Sequence, residues 1–257
     1  MLDDATLANI RMWLSVRFGP YFLPYQDEGE LIVAKHGLEL ADYHGVYVWQ
    51  MGGVTLVSAP EGMVDGVCHR MDRALVTFVQ GPDFHGRVED GYINETFWRT
   101  ALGERVARII GPAYQGFCDM ESFQPADTQG ARPLTLNDHR ALRAFIAACP
   151  PEDWQDSAIS PDHLPLDGLE REGALVALAS APSRAAMMGM RSVGVVTLPA
   201  ARGTGAGRAV VSALIQELRT EFMLLRYQTL RANLPSVAIA RRLGFEDVAT
   251  TLAVRLR

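Results

Sequence analysis

The hexapeptide Arg202-Gly203-Thr204-Gly205-Ala206-Gly207 places three glycines in five positions. Such a run costs backbone entropy unless the main chain must turn left-handed or approach another group closely. An arginine followed by these glycines suits an anion, because main-chain N–H groups at a helix start and the positive end of the helix dipole together cradle phosphate. A helix end alone contributes about 0.3–1 kcal/mol, so several N–H groups and Arg202 would have to act together. The same residues can equally be read as a tight strand-to-helix turn. Other phosphate chemistries fit less well. Gly-Lys-Ser/Thr is absent and Lys35 is the only lysine, which removes a Walker loop and leaves lysine Schiff-base chemistry almost no candidate. A dinucleotide fingerprint needs G-x-G-x-x-G and an acid about 20 residues on. Here the spacing is G-x-G-x-G, and Gln228 to Arg231 offer no acid. The histidines lack H-x-x-x-H or H-E-x-x-H spacing, and Cys68, Cys118 and Cys149 are odd in number and far apart, so neither a metal site nor a disulfide framework is expected. No G-x-S-x-G nucleophile elbow occurs.

The elements around the loop follow from periodicity. Ser192 to Leu198 is β-branched and apolar, the pattern of a buried strand, and Pro199 ends it. Val210, Val211, Leu214, Leu218 and Phe222 recur at spacings of three and four, which predicts an amphipathic helix from about Gly205 to Thr220. A strand near Leu224–Leu230 comes next. A short helix then has Asn233 before it, Pro235 in its first turn and Gly244 at its end, with Phe245 positioned to fold back on Ile239 or Ala240. Ala249–Leu256 reads as a last strand.

Upstream, residues 4–17 read as a helix, and Val46–Trp49 with Val54–Val57 around Gly52-Gly53 as a hairpin. Met63, Val67 and Met71 predict a helix over 61–74, and Gly81 to Gly86 a polar loop. Asn94 is a candidate N-cap for a helix through Trp98, Leu102 and Val106, closed with any short strand after it at Gly111-Pro112. Trp49 and Trp98 fit a core or a cation cage. The polar stretch from Met120 to Pro133 reads as a linker. A helix through Leu142, Phe145 and Ile146 follows, then an acidic loop over 152–172 and a strand at Ala174–Leu178. The expected organisation is an N-terminal α+β domain over 1–130 and a second domain over 131–257. No internal sequence repeat is visible.

Composition sets the outer limits. The chain has 257 residues, 48% of them apolar and 21% charged, as in a soluble globular protein of one or two domains. No leader pattern and no run of about 20 apolar residues is seen, so the cytoplasm is the expected location and no membrane partner is expected. A net charge of −6 argues against general nucleic-acid binding. The charge is uneven: Arg202 to Arg257 holds nine Arg against four Asp or Glu, or +5, leaving −11 for the remainder. A polyphosphate would favour the basic end and a cationic acceptor the acidic part; two ordinarily solvated faces would read the same way.

Val195-Val196-Thr197, Pro199 and Arg202-x-x-Gly205-x-Gly207 before an amphipathic helix resemble the acetyl-CoA-binding motif of the GNAT superfamily of N-acetyltransferases. Asn233-x-x-Ser236 and Ala240-Arg241-Arg242-Leu243-Gly244-Phe245 resemble the same family's second motif, in the expected order. The resemblance spans about Arg132 to Arg257 and is close over Ser192–Phe245. It implies a mixed central sheet that splays apart, flanked by helices, with the acyl-pantetheine in the gap. It further implies that main-chain groups of Val195, Val196 and Thr197 pair with pantetheine, and that N–H groups of Gly203, Thr204, Gly205, Ala206, Gly207 and Arg208 hold the pyrophosphate. Arg202 would be a ligand or a loop brace. Asn233 would meet the pantetheine arm, cap its helix, or both, with Ser236 near it. The implied reaction is direct attack of a primary amine of a small molecule or peptide on the thioester of acetyl-CoA, without a metal. A homodimer is compatible with it, and residues 1–130 would be a smaller α+β domain shaping the acceptor side, or a worn GNAT-like half.

Two departures from the family pattern matter. A tyrosine that protonates the leaving thiolate in many relatives aligns with Ala240, and where relatives often carry an acidic base this chain has Gly189, Met190 and Arg191. No residue is therefore assigned as catalytic. Glu152, Asp153, Asp156 and His163 lie where relatives place acceptor-contacting segments, and read as solvated loop residues or as acceptor contacts. A non-catalytic acyl-CoA-binding module is the alternative reading.

Overall fold

Along Val46-Tyr47-Val48-Trp49 successive side chains point to opposite faces of a strand, and all four are buried, so both faces of this strand must be covered. The computed structural model, which describes residues 2–18, 31–79, 92–182, 189–218 and 224–257, shows what covers them. On one face α1 (Asp4–Phe18) sets Trp13 edge-on to Trp49, with ring centroids 5.5 Å apart, and Phe18 against Tyr47. On the other, Val46 and Val48 join a core with Val67, Phe97 and Trp98. These come from α2 (Val64–Val79) and α3 (Glu95–Leu102). The Asn94 side chain caps α3 by accepting from the Thr96 N–H at 2.8 Å. Trp49 and Trp98 are fully buried, which removes the cation-cage reading.

The described chain forms two compact units. The N-terminal unit comprises residues 3–115, 229–234 and 247–257, and the C-terminal unit residues 1–2, 116–228 and 235–246. In the N-terminal unit β1 (Leu31–Lys35), β2 (Gly45–Met51), β3 (Val54–Ala59), β4 (Val106–Cys118) and β10 (Glu246–Leu256) lie in the order β1-β3-β2-β10-β4. The predicted hairpin is present, with Trp49 opposite Leu56. Gly111-Pro112 does not end an element, as a breaker would. It lies within the thirteen-residue β4, where a side chain at Gly111 would meet the Thr251 carbonyl oxygen at 2.7 Å. The predicted loop over Gly81 to Gly86 falls outside the described residues.

In the C-terminal unit β5 (Arg132–Pro133), β6 (Leu166–Arg171), β7 (Ala174–Ser180), β8 (Met190–Thr197) and β9 (Leu224–Leu230) lie in the order β9-β8-β7-β6-β5. β8 and β9 are parallel and the other pairs antiparallel, so the sheet is mixed. One face packs on α4 (His139–Ala148), through Phe145 against Leu166, Leu175, Leu178 and Val196. The other carries α6 (Ala206–Leu218), whose Val210, Val211, Leu214 and Ile215 are fully buried. Each such side chain removed from water contributes roughly 1.5–3 kcal/mol. The stretch expected to be an acidic loop contains two elements instead. Pro151 opens a short helix, α5 (Pro151–Asp156), because its missing N–H costs nothing in a first turn; β6 follows, its strand pattern masked in sequence by Asp167 and Gly168. The segment after Met120 forms no regular element until β5, but it is pinned. The Gln124 N–H donates to the Leu243 carbonyl at 3.0 Å, and the Ala126 N–H to Ser212 Oγ at 2.9 Å.

Candidate functional site

The register of β8 explains why the site lies at its end. β8 pairs with β9 from Met190↔Leu224 to Val193↔Tyr227 and no further, whereas its pairing with β7 runs on through Gly194↔Ser180 to Thr197↔Ala177. From Gly194 onward, one edge of β8 has therefore left the ladder that β9 shared with it. Val195 and Thr197 are half-buried beside that opening and Val196 is buried on the α4 side.

At the end of β8 the chain turns through Pro199–Ala201, extends at Arg202 and enters α6. Gly203 and Gly205 hold φ of +76° and +83°, a region that costs residues with a Cβ roughly 1–2 kcal/mol. At Gly203 a side chain would project into open space, and at Gly205 it would come within 3.1 Å of Gln129 Nε2. Gly207 answers a different need. A Cβ there would lie 3.0 Å from both Thr197 Oγ1 on β8 and Ile239 Cδ1 on α7 (Leu234–Arg242), so the missing side chain lets helix and strand meet. Since α6 starts at Ala206, the N–H groups of its first turn have no earlier carbonyl within the helix. That turn contains Arg208 and no acid, the reverse of what a helix dipole prefers.

The arginine before the loop is held away from that role. Arg202 Nη2 meets Asp153 Oδ2 at 2.5 Å and its Nε donates to the Thr197 carbonyl at 3.3 Å, a brace across the turn. Thr204 Oγ1 donates to the Ala201 carbonyl at 2.6 Å and accepts from Arg171 Nη1 at 2.9 Å. Arg171 Nη2 donates to Gln129 Oε1 at 2.5 Å.

The second motif forms α7 and its flanks. Asn233 is exposed and immediately precedes the helix. Ser236 is half-buried in the first turn, its Oγ 2.9 Å from Tyr227 Oη. Burial pushes the Tyr227 phenol up to about 12, with the Ser236 hydrogen bond opposing it; the ring packs edge-on to Phe245 at 5.4 Å. Ala240 is fully buried. Gly244 has φ +91°, and a side chain there would collide with the Ser122 carbonyl. Loop, β8, Gly207 and Ser236 thus belong to one unit, joined through Ile239 and Tyr227, while Asn233 falls among the residues of the other.

Of the side chains considered for the acceptor side, Glu152 and Asp156 are exposed, Asp153 is taken by Arg202, and His163 Nδ1 accepts from the Ser160 N–H at 3.2 Å. Arg191 is buried and donates to the Ala181 carbonyl at 2.9 Å. Among the described residues no cluster of three potential metal ligands occurs, and no helix is long and apolar enough to cross a membrane. Sequence reading missed Gln129, Arg171 and Tyr227. The signal for Arg171 was its place just before Glu172-Gly173, a turn pair; Gln129 and Tyr227 left none.

A strand that parts from its neighbour, a glycine loop and a helix start without acids meet at the fork of a mixed sheet. Residues 135–245 match the acetyltransferase (GNAT) family, whose general chemistry is acyl transfer. Similar solved structures include a GNAT-family acetyltransferase of Colwellia psychrerythraea, with 15% identity over 77% of this chain and 75% of that one and a TM-score of 0.48. A GNAT-family protein of Novosphingobium aromaticivorans shows 22% identity over 60% of this chain and 67% of that one, with a TM-score of 0.46. The ribosomal-protein-alanine N-acetyltransferase of Brucella melitensis shows 22% identity over 49% of this chain and 99% of that one, with a TM-score of 0.37. No curated protein matches the chain.

Proposed function

We propose that this protein binds acetyl-CoA and transfers its acetyl group to a primary amine of a small molecule or peptide by direct attack. The observation that carries the reading is the coincidence of two features at one strand end: β8 leaves β9 after Val193↔Tyr227, and the left-handed glycines of the loop open onto the first turn of α6. The pyrophosphate of CoA would take the N–H groups from Gly203 to Arg208, and the freed edge of Val195 to Thr197 would pair with the pantetheine amides. Arg202 would act as a brace, consistent with its bond to Asp153. Acetyl-CoA brings the activated thioester; this chain's residues hold and orient it.

The absent acid and base do not weigh decisively against transfer. Alignment of two bound reactants is worth about 7–11 kcal/mol, and general acid–base assistance about 3–5 kcal/mol. Positioning is the larger contribution, and the ammonium formed when a neutral amine adds to the thioester can pass its proton to water. Calorimetry with acetyl-CoA and CoA, followed by thiol release across a panel of amines, tests the reading. Absence of binding would end it.

Ala240 and the sequence Gly189-Met190-Arg191 favour a second reading, a non-catalytic acyl-CoA-binding module. Tight binding with no thiol release for any amine would select that one.

A further inference from the structure

We propose that Arg171 forms a second anion subsite beside the glycine loop and takes the ribose phosphate of coenzyme A, leaving the pyrophosphate to the loop itself. This rests on the CoA-binding reading above.

Three turns converge on Arg171. It stands at the end of β6 just before Glu172 (φ +52°) and Gly173 (φ +79°), two consecutive left-handed residues that close the hairpin to β7. Gln129 (φ +52°) and Gly130 (φ +81°) form a similar turn in the pinned segment. Arg171 bridges the two turns to the loop, one Nη to Thr204 Oγ1 and the other to Gln129 Oε1. Gln129 in turn sets its amide nitrogen toward Gly205.

The partners of Arg171 are neutral, whereas several other arginines pair with carboxylates. Arg17 pairs with Glu39, Arg99 with Glu95, Arg132 with Asp138 and Glu170, Arg202 with Asp153, and Arg231 with Asp247. Among the described residues both hydrogen bonds of Arg171 go to uncharged groups, and no ion pair balances its charge. A guanidinium has five N–H donors. Two are used here, and three are left on a half-buried side chain fixed in place. Fixed orientation with spare donors is what bidentate phosphate recognition requires. The reading above assigns the pyrophosphate to the main-chain N–H groups from Gly203 to Arg208, so an additional phosphate of the same ligand suits Arg171 best. An arginine needed only to clamp Thr204 would leave the same hydrogen bonds but no discrimination between ligands.

Calorimetric titration of the full chain with CoA and with dephospho-CoA, which lacks only the ribose phosphate, separates these cases. The wild type should bind CoA more tightly by roughly tenfold, the low end of what a hydrogen bond to a charged group is worth. Arg171→Gln should bring CoA down to the affinity of dephospho-CoA and leave dephospho-CoA unchanged, and Arg171→Lys should restore part of the difference. Equal weakening of both ligands in Arg171→Gln would make Arg171 a clamp and overturn the proposal. So would equal affinities in the wild type, or a variant indistinguishable from it. If the wild type bound neither ligand, the CoA-binding reading itself would fall with it.

Discussion

Replacing Asp167 by Asn should change how stability depends on pH. Asp167 lies in β6, is 1% exposed, and has the Glu217 carboxyl beside it. Burial pushes its carboxyl from an ordinary 3.8 up to about 7, and the negative charge of Glu217 on α6 adds to the rise. Between those values the folded protein holds a proton that the unfolded chain has released, so stability falls as pH rises from about 4 to about 7 and stays lowered above that. A little over three pH units at 1.36 kcal/mol each give about 4 kcal/mol. Asn has the same shape and does not ionise. It still buries a polar amide that is incompletely hydrogen-bonded, at a cost of about 1–3 kcal/mol. The variant should therefore be no more stable than wild type near pH 4 and more stable by about 1–3 kcal/mol near pH 8. For a protein of this size that is roughly 2–4 °C of Tm per kcal/mol. Thermal unfolding followed by circular dichroism at a series of pH values gives the difference directly. A Tm difference that does not change sign or slope between pH 4 and 8 would refute the argument.

Three further substitutions probe the site and its scaffold. Gly205→Glu should abolish CoA binding by calorimetry while circular dichroism stays native, because a carboxylate would crowd the cradle; unchanged affinity would contradict the assignment. Arg202→Ala should lower stability by no more than about 1 kcal/mol, the usual worth of an exposed pair, and weaken CoA only a few-fold; complete loss of CoA binding would make Arg202 a ligand. Gly244→Ala should cost more than about 2 kcal/mol, since the added methyl meets both an unfavourable φ and the Ser122 carbonyl; a Tm within a degree of wild type would show that the turn can shift.

The parts of the fold legible in the sequence are those fixed by local chemistry. The loop declared itself because glycines at left-handed positions and an amphipathic period lie next to each other in the chain. Asn94 and the Pro235 to Gly244 segment were readable because caps act within one or two turns. Relations between distant residues were not readable. β6 hid behind Asp167, a charged residue type in a buried strand, and α5 behind its own acids. Pro112 signalled a stop, yet Gly111 beside it is the residue that lets β4 approach Thr251. The fork in the sheet depends on register between β8 and β9, which no spacing within either strand encodes. Arg171 and Gln129 reach the loop only once three separate turns are folded.

The ladder in which Ala253 faces Tyr47 has a consequence for synthesis. β10 sits between β2 and β4 in the N-terminal unit, and everything from β5 to α7 must leave the ribosome before β10 exists. Until then β2 shows an open edge to solvent, the kind of surface that pairs with other chains. The C-terminal unit, assembled from residues made in the interval, can collapse while its neighbour waits. Long-range closure of this type is slow, and during translation the half made first is the half finished last.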